Sequence, residues 1–115
     1  MKTLSMTRNN DFLRAYRRGK SVSDPCVVCY VMPNRLSVTR IGLTTSKKIG
    51  NAVARNRARR VLRAAYREIA PQILPGYDIV LVARTKTTVT KSTALTPILT
   101  AQLRKLGALQ SKEKE

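Results

Sequence analysis

The chain has 115 residues, the length of one domain at about 150 residues each, and its 43% apolar content suffices for one core. No apolar run reaches the roughly 18 residues of a membrane span, and residues 1–8 begin no apolar secretory stretch, so a cytoplasmic protein is expected. Against 6 Asp and Glu stand 23 Lys and Arg and no His, a formal charge of +17 that calls for a polyanion, of which nucleic acid is the abundant one.

In chain order, residues 9–19 open with Asn9 and Asn10 and close with Gly19, which predicts a short helix ending near Arg18 with Phe12 and Tyr16 on one face. Residues 21–32 read as a strand interrupted early by Asp24-Pro25. Pro33-Asn34-Arg35 then makes a turn into a second strand over 37–46, giving a hairpin or part of a meander, with Gly42 a candidate bulge. Asn51 is placed to cap a long helix over 52–70 that Pro71 stops. The apolar run 77–83 reads as a central strand buried on both faces. A last helix starts between Ser92 and Thr96 and reaches about Leu106, with Pro97 fitting only its first turn. The order argues for an α+β class with helices against a small sheet: a single domain over 1–107 and a polar, flexible tail over 108–115.

Several chemistries have no residues to carry them. Without His, the usual neutral-pH proton carrier and commonest metal ligand is missing. The acids, Asp11, Asp24, Glu68, Asp78, Glu113 and Glu115, are scattered except in the tail, so no local pair suggests a hydrolytic or metal site. Cys26 and Cys29 form a C-x-x-C. On a strand, however, residues three apart face opposite ways, and no further Cys or His completes a zinc tetrahedron. Core packing is the expectation for both.

The helix over 52–70 carries the most information. From Pro25 to Arg67 there is no acidic residue, while Arg35, Arg40, Lys47, Lys48, Arg55, Arg57, Arg59, Arg60, Arg63 and Arg67 all fall there. At about 100° per residue, Ala54, Ala58, Val61, Leu62, Ala65 and Ile69 share one sector. Asn56, Arg59, Arg60, Arg63 and Arg67 lie nearly opposite, flanked by Arg55 and Arg57. A merely solvated face would interleave Glu with Arg at four-residue spacing, whereas this one accepts repulsion throughout. Arg also binds phosphate bidentately and stacks on bases, as Lys does not. A membrane surface is disfavoured by the single Phe and absent Trp, and no helix-turn-helix pattern points to DNA. Phe12, Tyr16 and Tyr30 are open to two readings, core packing or a stacking platform for single-stranded RNA. Tyr66 and Tyr77 are read as core.

The segment Lys47-Lys48-Ile49-Gly50-Asn51-Ala52-Val53-Ala54-Arg55-Asn56-Arg57-Ala58-Arg59-Arg60-Val61-Leu62-Arg63 resembles the bacterial ribonuclease P protein component, and the likeness extends over roughly residues 8–106. The resemblance implies a small α–β sandwich with a mainly four-stranded sheet, three helices and a left-handed β-α-β crossover, the ribosomal protein S5 domain 2-like fold. The general rule for such crossovers favours the right hand. It also implies an accessory subunit of an endoribonuclease whose RNA subunit, using Mg2+, removes the 5′ leader of precursor tRNA. No cofactor is then bound by the protein alone, and no DNA or membrane partner is implied. Lys47, Lys48, Asn51, Arg55, Asn56, Arg57, Arg59, Arg60 and Arg63 fall on the motif that contacts the catalytic RNA. Phe12, Tyr16 and Tyr30 fall on the cleft for the leader, which favours the contact reading of that trio. Pro97 and the acidic Glu113 and Glu115 depart from the expected pattern. Charge and fold class alone fit a structural ribosomal or translation-associated RNA-binding protein equally well.

Overall fold

The apolar run 79–83 lies at the centre of a five-stranded sheet in the computed structural model, which describes residues 3–110. The elements are β1 (Thr3–Ser5), α1 (Asn9–Arg18), β2 (Lys20–Asp24), β3 (Val27–Pro33), β4 (Thr39–Thr44), α2 (Ala52–Ile69), β5 (Tyr77–Ala83) and α3 (Ser92–Lys105). The strand order is β1-β4-β5-β3-β2. β5 runs parallel to β4 and antiparallel to β3, so both its edges are hydrogen-bonded, and Ile79, Val80 and Leu81 are sealed from solvent on both faces. The α+β class, the three helices and the parallel pair joined through α2 agree with the sequence reading.

One face of the sheet carries the main core. There Val27, Cys29, Val31, Ile79 and Leu81 pack with Ala58, Leu62, Ala65, Tyr66 and Ile69 of α2 and Leu95, Leu99 and Leu103 of α3. Among the described residues the other face carries only α1, whose Ala15 meets Met6 and Val80 in a small second core flanked by Phe12, Tyr30, Met32 and Val82. Those flanking side chains remain half-buried, so this face is covered only in part. No helix of the described residues is long and apolar enough to cross a membrane.

The structure corrects several expectations. The stretch 21–32 is two strands, not one, because Pro25-Cys26 is the turn of a hairpin: Asp24, the last residue of β2, pairs with Val27, and the Asp24 Oδ1 accepts from the Cys26 N–H at 2.8 Å. β3 and β4 do not form a hairpin; β5 lies between them, since the strand with two apolar faces needs partners on both edges. The sheet has a fifth strand, β1, too short to show a pattern. Gly42 is not a bulge, because β4 pairs with β5 without interruption from Arg40 to Thr44. Cys26 precedes the strand instead of lying on it, and packs against the same core that buries Cys29.

At the other end, Pro97 sits in the second turn of α3, not the first. Burial of Leu95, Leu99 and Leu103 outweighs the single helical hydrogen bond that proline removes. The tail is not free from residue 108. Ala108 and Leu109 are buried, Leu109 bridges Ile73, and the Gln110 N–H donates to the Gln72 carbonyl at 3.0 Å. Residues 111–115, with Glu113 and Glu115, lie outside the described residues.

Candidate nucleic-acid interface

α2 folds as its sequence dictates. Asn51 caps it, the side-chain Oδ1 accepting from the Ala54 N–H at 3.0 Å, so this residue has a structural task whatever else it contacts. The apolar stripe turns inward, with Ala58, Leu62, Ala65 and Ile69 buried and Ala54 and Val61 half-buried. The opposite side is basic: Asn56, Arg57, Arg60, Arg63 and Arg67 are exposed, Arg55 and Arg59 half-buried. Lys47 and Lys48 are exposed in a 3₁₀ turn just before the helix, continuing the cationic surface.

Among the described residues, none of the α2 arginines has a carboxylate partner, since the ion pairs are Arg14–Asp11, Arg40–Asp11 and Arg40–Asp78. Two are oriented by neutral oxygens instead. The Arg57 Nε donates to the Thr88 carbonyl at 2.7 Å, and an Arg59 nitrogen donates to Asn56 Oδ1 at 3.1 Å. Arg57 thereby ties α2 to the turn after β5, which leaves fewer of its donors for a ligand. The result is a row of guanidinium groups on a rigid rod, their charge unneutralised by the protein.

Arg40 belongs to a different set. Its Nε and a terminal nitrogen donate to both Asp78 oxygens at 2.8 and 2.6 Å, and the other terminal nitrogen donates to Asp11 at 3.2 Å. The hydrogen bond to Asp78, more than burial opposes it, holds the guanidinium even more firmly protonated than usual. This clamp fastens α1 to the sheet. It also engages Asp11 and Asp78 structurally, as the hairpin turn engages Asp24. Among the described residues no three His, Cys, Asp or Glu side chains come together in a metal-binding group.

The aromatic trio is brought together on the half-covered face of the sheet. Tyr16 and Tyr30 meet edge-to-face with ring centroids 5.0 Å apart and planes at 70°. Tyr16 is the exposed member at 37%, Tyr30 is half-buried, and Phe12 is half-buried against the backbone of Gly42. Phe12 is thus mainly packing, while Tyr16 presents a ring to solvent. Tyr66 is buried in the core and Tyr77 packs against it.

Sequence reasoning missed the partners of the basic face. Arg59, Arg63 and Arg67 line a groove of about 570 Å³ whose other side is the β1–β4 edge, with Met6, Ile41 and Leu43. The quoted motif ends at Arg63, and nothing local to Arg67 links it to strands 23 to 64 residues earlier. Helical spacing did place Arg67 on the correct face.

A cationic helix that bridges two parallel strands of a small mixed sheet defines the class: a basic α+β domain with one strongly cationic helix face. The ribonuclease P family model matches residues 1–107, and the chain belongs to that family. It is 42% identical over 84 residues to the ribonuclease P protein component of Clostridioides difficile, covering 72% of this chain and 74% of that one. Against the component from Caldanaerobacter subterraneus it is 42% identical over 85 residues, covering 74% and 73%. The solved RNase P protein of Staphylococcus aureus superposes with a TM-score of 0.81 at 30% identity, over 95% of this chain and 100% of that one. The one from Thermotoga maritima gives 0.75 at 26%, over 87% and 96%. The chain is thus a ribonuclease P protein subunit, and its process is tRNA processing.

Proposed function

We propose that this chain docks on the catalytic RNA of ribonuclease P through α2 and the turn before it, and helps that RNA to hold precursor tRNA by its 5′ leader. The observation that carries the reading is the α2 face of arginines that, among the described residues, have no carboxylate partners, because a charge row left unneutralised there is neutralised by its ligand. Lys47, Lys48, Asn51, Arg55, Asn56, Arg57, Arg59, Arg60 and Arg63 make the contacts, Arg57 and Asn51 partly through the geometry they impose. Tyr16, backed by Tyr30 and Phe12, offers the leader a stacking surface. Hydrolysis belongs to the RNA, with magnesium ions bound there. The working place in this reading is the cytoplasm.

Adding the chain to the ribonuclease P RNA is expected to accelerate cleavage of precursor tRNA at magnesium concentrations where the RNA alone is slow. No acceleration at any salt concentration overturns the proposal. Co-purification separates the alternative of a ribosomal RNA binder. Enrichment of one RNA of ribonuclease P type supports the proposal, and enrichment of ribosomal subunits supports the alternative.

A further inference from the structure

The groove between α2 and the β1–β4 edge differs from the rest of the basic face in having an apolar wall. Arg59, Arg63 and Arg67 stand one turn apart along α2, so successive guanidinium stems are spaced about 6 Å along the helix. Facing them are Met6, Ile41 and Leu43, with Tyr66 among the lining residues. At about 570 Å³ the groove falls in the range, about 300–1,000 Å³, of pockets that enclose small ligands. A phosphate alone uses the arginines and leaves the apolar wall wet. A regular duplex presents phosphates but keeps its bases stacked inside, where this wall cannot reach them. An unstacked nucleotide satisfies both surfaces, phosphates against the arginines and base against the half-buried Ile41 and Leu43, at the floor beside the buried Met6.

We propose that this groove takes a single unpaired, unstacked nucleotide of the RNA on which α2 docks. The inference rests on the reading above and deepens it: Arg59, Arg63 and Arg67 hold the backbone on either side while the β4 edge receives the base. Arg67, beyond the recognised motif, becomes a binding residue. Ser5, exposed at the groove's edge on β1, becomes the position from which the groove can be filled.

The test compares the full-length chain with Ser5→Phe and Arg60→Ala for binding to the ribonuclease P RNA across a salt series. Arg60 is exposed on α2 but does not line this groove. A base contact is largely insensitive to salt, whereas each lost phosphate contact flattens the log–log salt slope by about 0.7–0.9. Ser5→Phe is therefore expected to bind about ten-fold more weakly at every salt concentration with an unchanged slope. Arg60→Ala is expected to flatten the slope. If Ser5→Phe binds as wild type while Arg60→Ala flattens the slope, the groove proposal falls and the docking proposal stands. If neither variant differs from wild type, the docking proposal itself fails. The wild-type complex gives a second reading that needs no variant to fold. RNA carrying 4-thiouridine or 6-thioguanosine is expected to crosslink from one unpaired position to a peptide containing Met6 or residues 41–43. Crosslinks only from duplex positions, or none to those peptides, overturn the inference.

Discussion

A Cβ built on Gly42 would lie 2.5 and 2.7 Å from two carbons of the Phe12 ring, so the ring occupies the space that any other residue on β4 would claim. The absence of a side chain at Gly42 lets α1 approach the sheet and sets the depth of the aromatic face. Gly42→Ala is expected to push the ring outward at a cost of about 1–3 kcal/mol, typical of overpacking. Urea denaturation measures the loss, and Phe12 ring shifts by NMR report the displacement. A variant as stable as wild type with unmoved ring resonances contradicts this packing.

The Arg40 clamp gives a second expectation. Asp78→Ala leaves Arg40 without its two-point partner in a largely enclosed site, and a loss of about 2–3 kcal/mol is expected. Because Arg40 also holds Asp11, protection of α1 amides from hydrogen exchange is expected to fall as well. Destabilisation below about 0.5 kcal/mol, with α1 protection unchanged, assigns the clamp no structural role.

How much of this was legible in the sequence depends on whether the deciding interactions were local. α2 was readable end to end because its cap, its stripe and its stop are all written within 51–71. β5 was readable because burial on both faces leaves a continuous apolar run. The pairing of β3 was not, because its partner across the sheet, β5, lies about 50 residues on, and a turn at Pro33-Asn34-Arg35 looks the same whether or not the flanking strands pair. Pro97 misled because propensity is local whereas the burial of Leu95, Leu99 and Leu103 is tertiary. The cationic face was legible by periodicity. Arg40, one of the basic residues of the acid-free stretch, is internally paired with acids outside it, and the groove opposite Arg59, Arg63 and Arg67 exists only because β1 and β4 come alongside.

Tyr16 separates stacking from packing. In the ribonuclease P complex, Tyr16→Ala is expected to weaken binding of precursor tRNA about ten-fold, since one aromatic–base stack contributes about 1–3 kcal/mol, and to leave mature tRNA unaffected. Tyr16→Phe keeps the ring and is expected to bind like wild type. Equal loss for precursor and mature tRNA removes the leader from the account.

Cys29 gives a pH signature. Burial pushes its thiol up from 9.0 to about 12. Between these values the unfolded chain releases the thiol proton and the folded chain keeps it, so stability present below pH 9 is lost as pH rises towards 12. The slope from this group is about 1.4 kcal/mol per pH unit at most. The difference in unfolding free energy between wild type and Cys29→Ala is expected to shrink over that window. Thiol reagents are expected to modify the half-buried Cys26 well before Cys29. A pH-independent difference, or equal reactivity, contradicts the burial of Cys29.

The salt dependence of RNA binding by a chain carrying both Arg60→Ala and Arg63→Ala tests the central claim most directly. Both side chains are exposed and, among the described residues, without carboxylate partners, so the free protein is expected to keep its stability within about 0.5 kcal/mol. Its log–log slope against the ribonuclease P RNA is expected to flatten by about 1.4–1.8, two phosphate contacts' worth. A slope equal to wild type would mean that those guanidinium groups face only water.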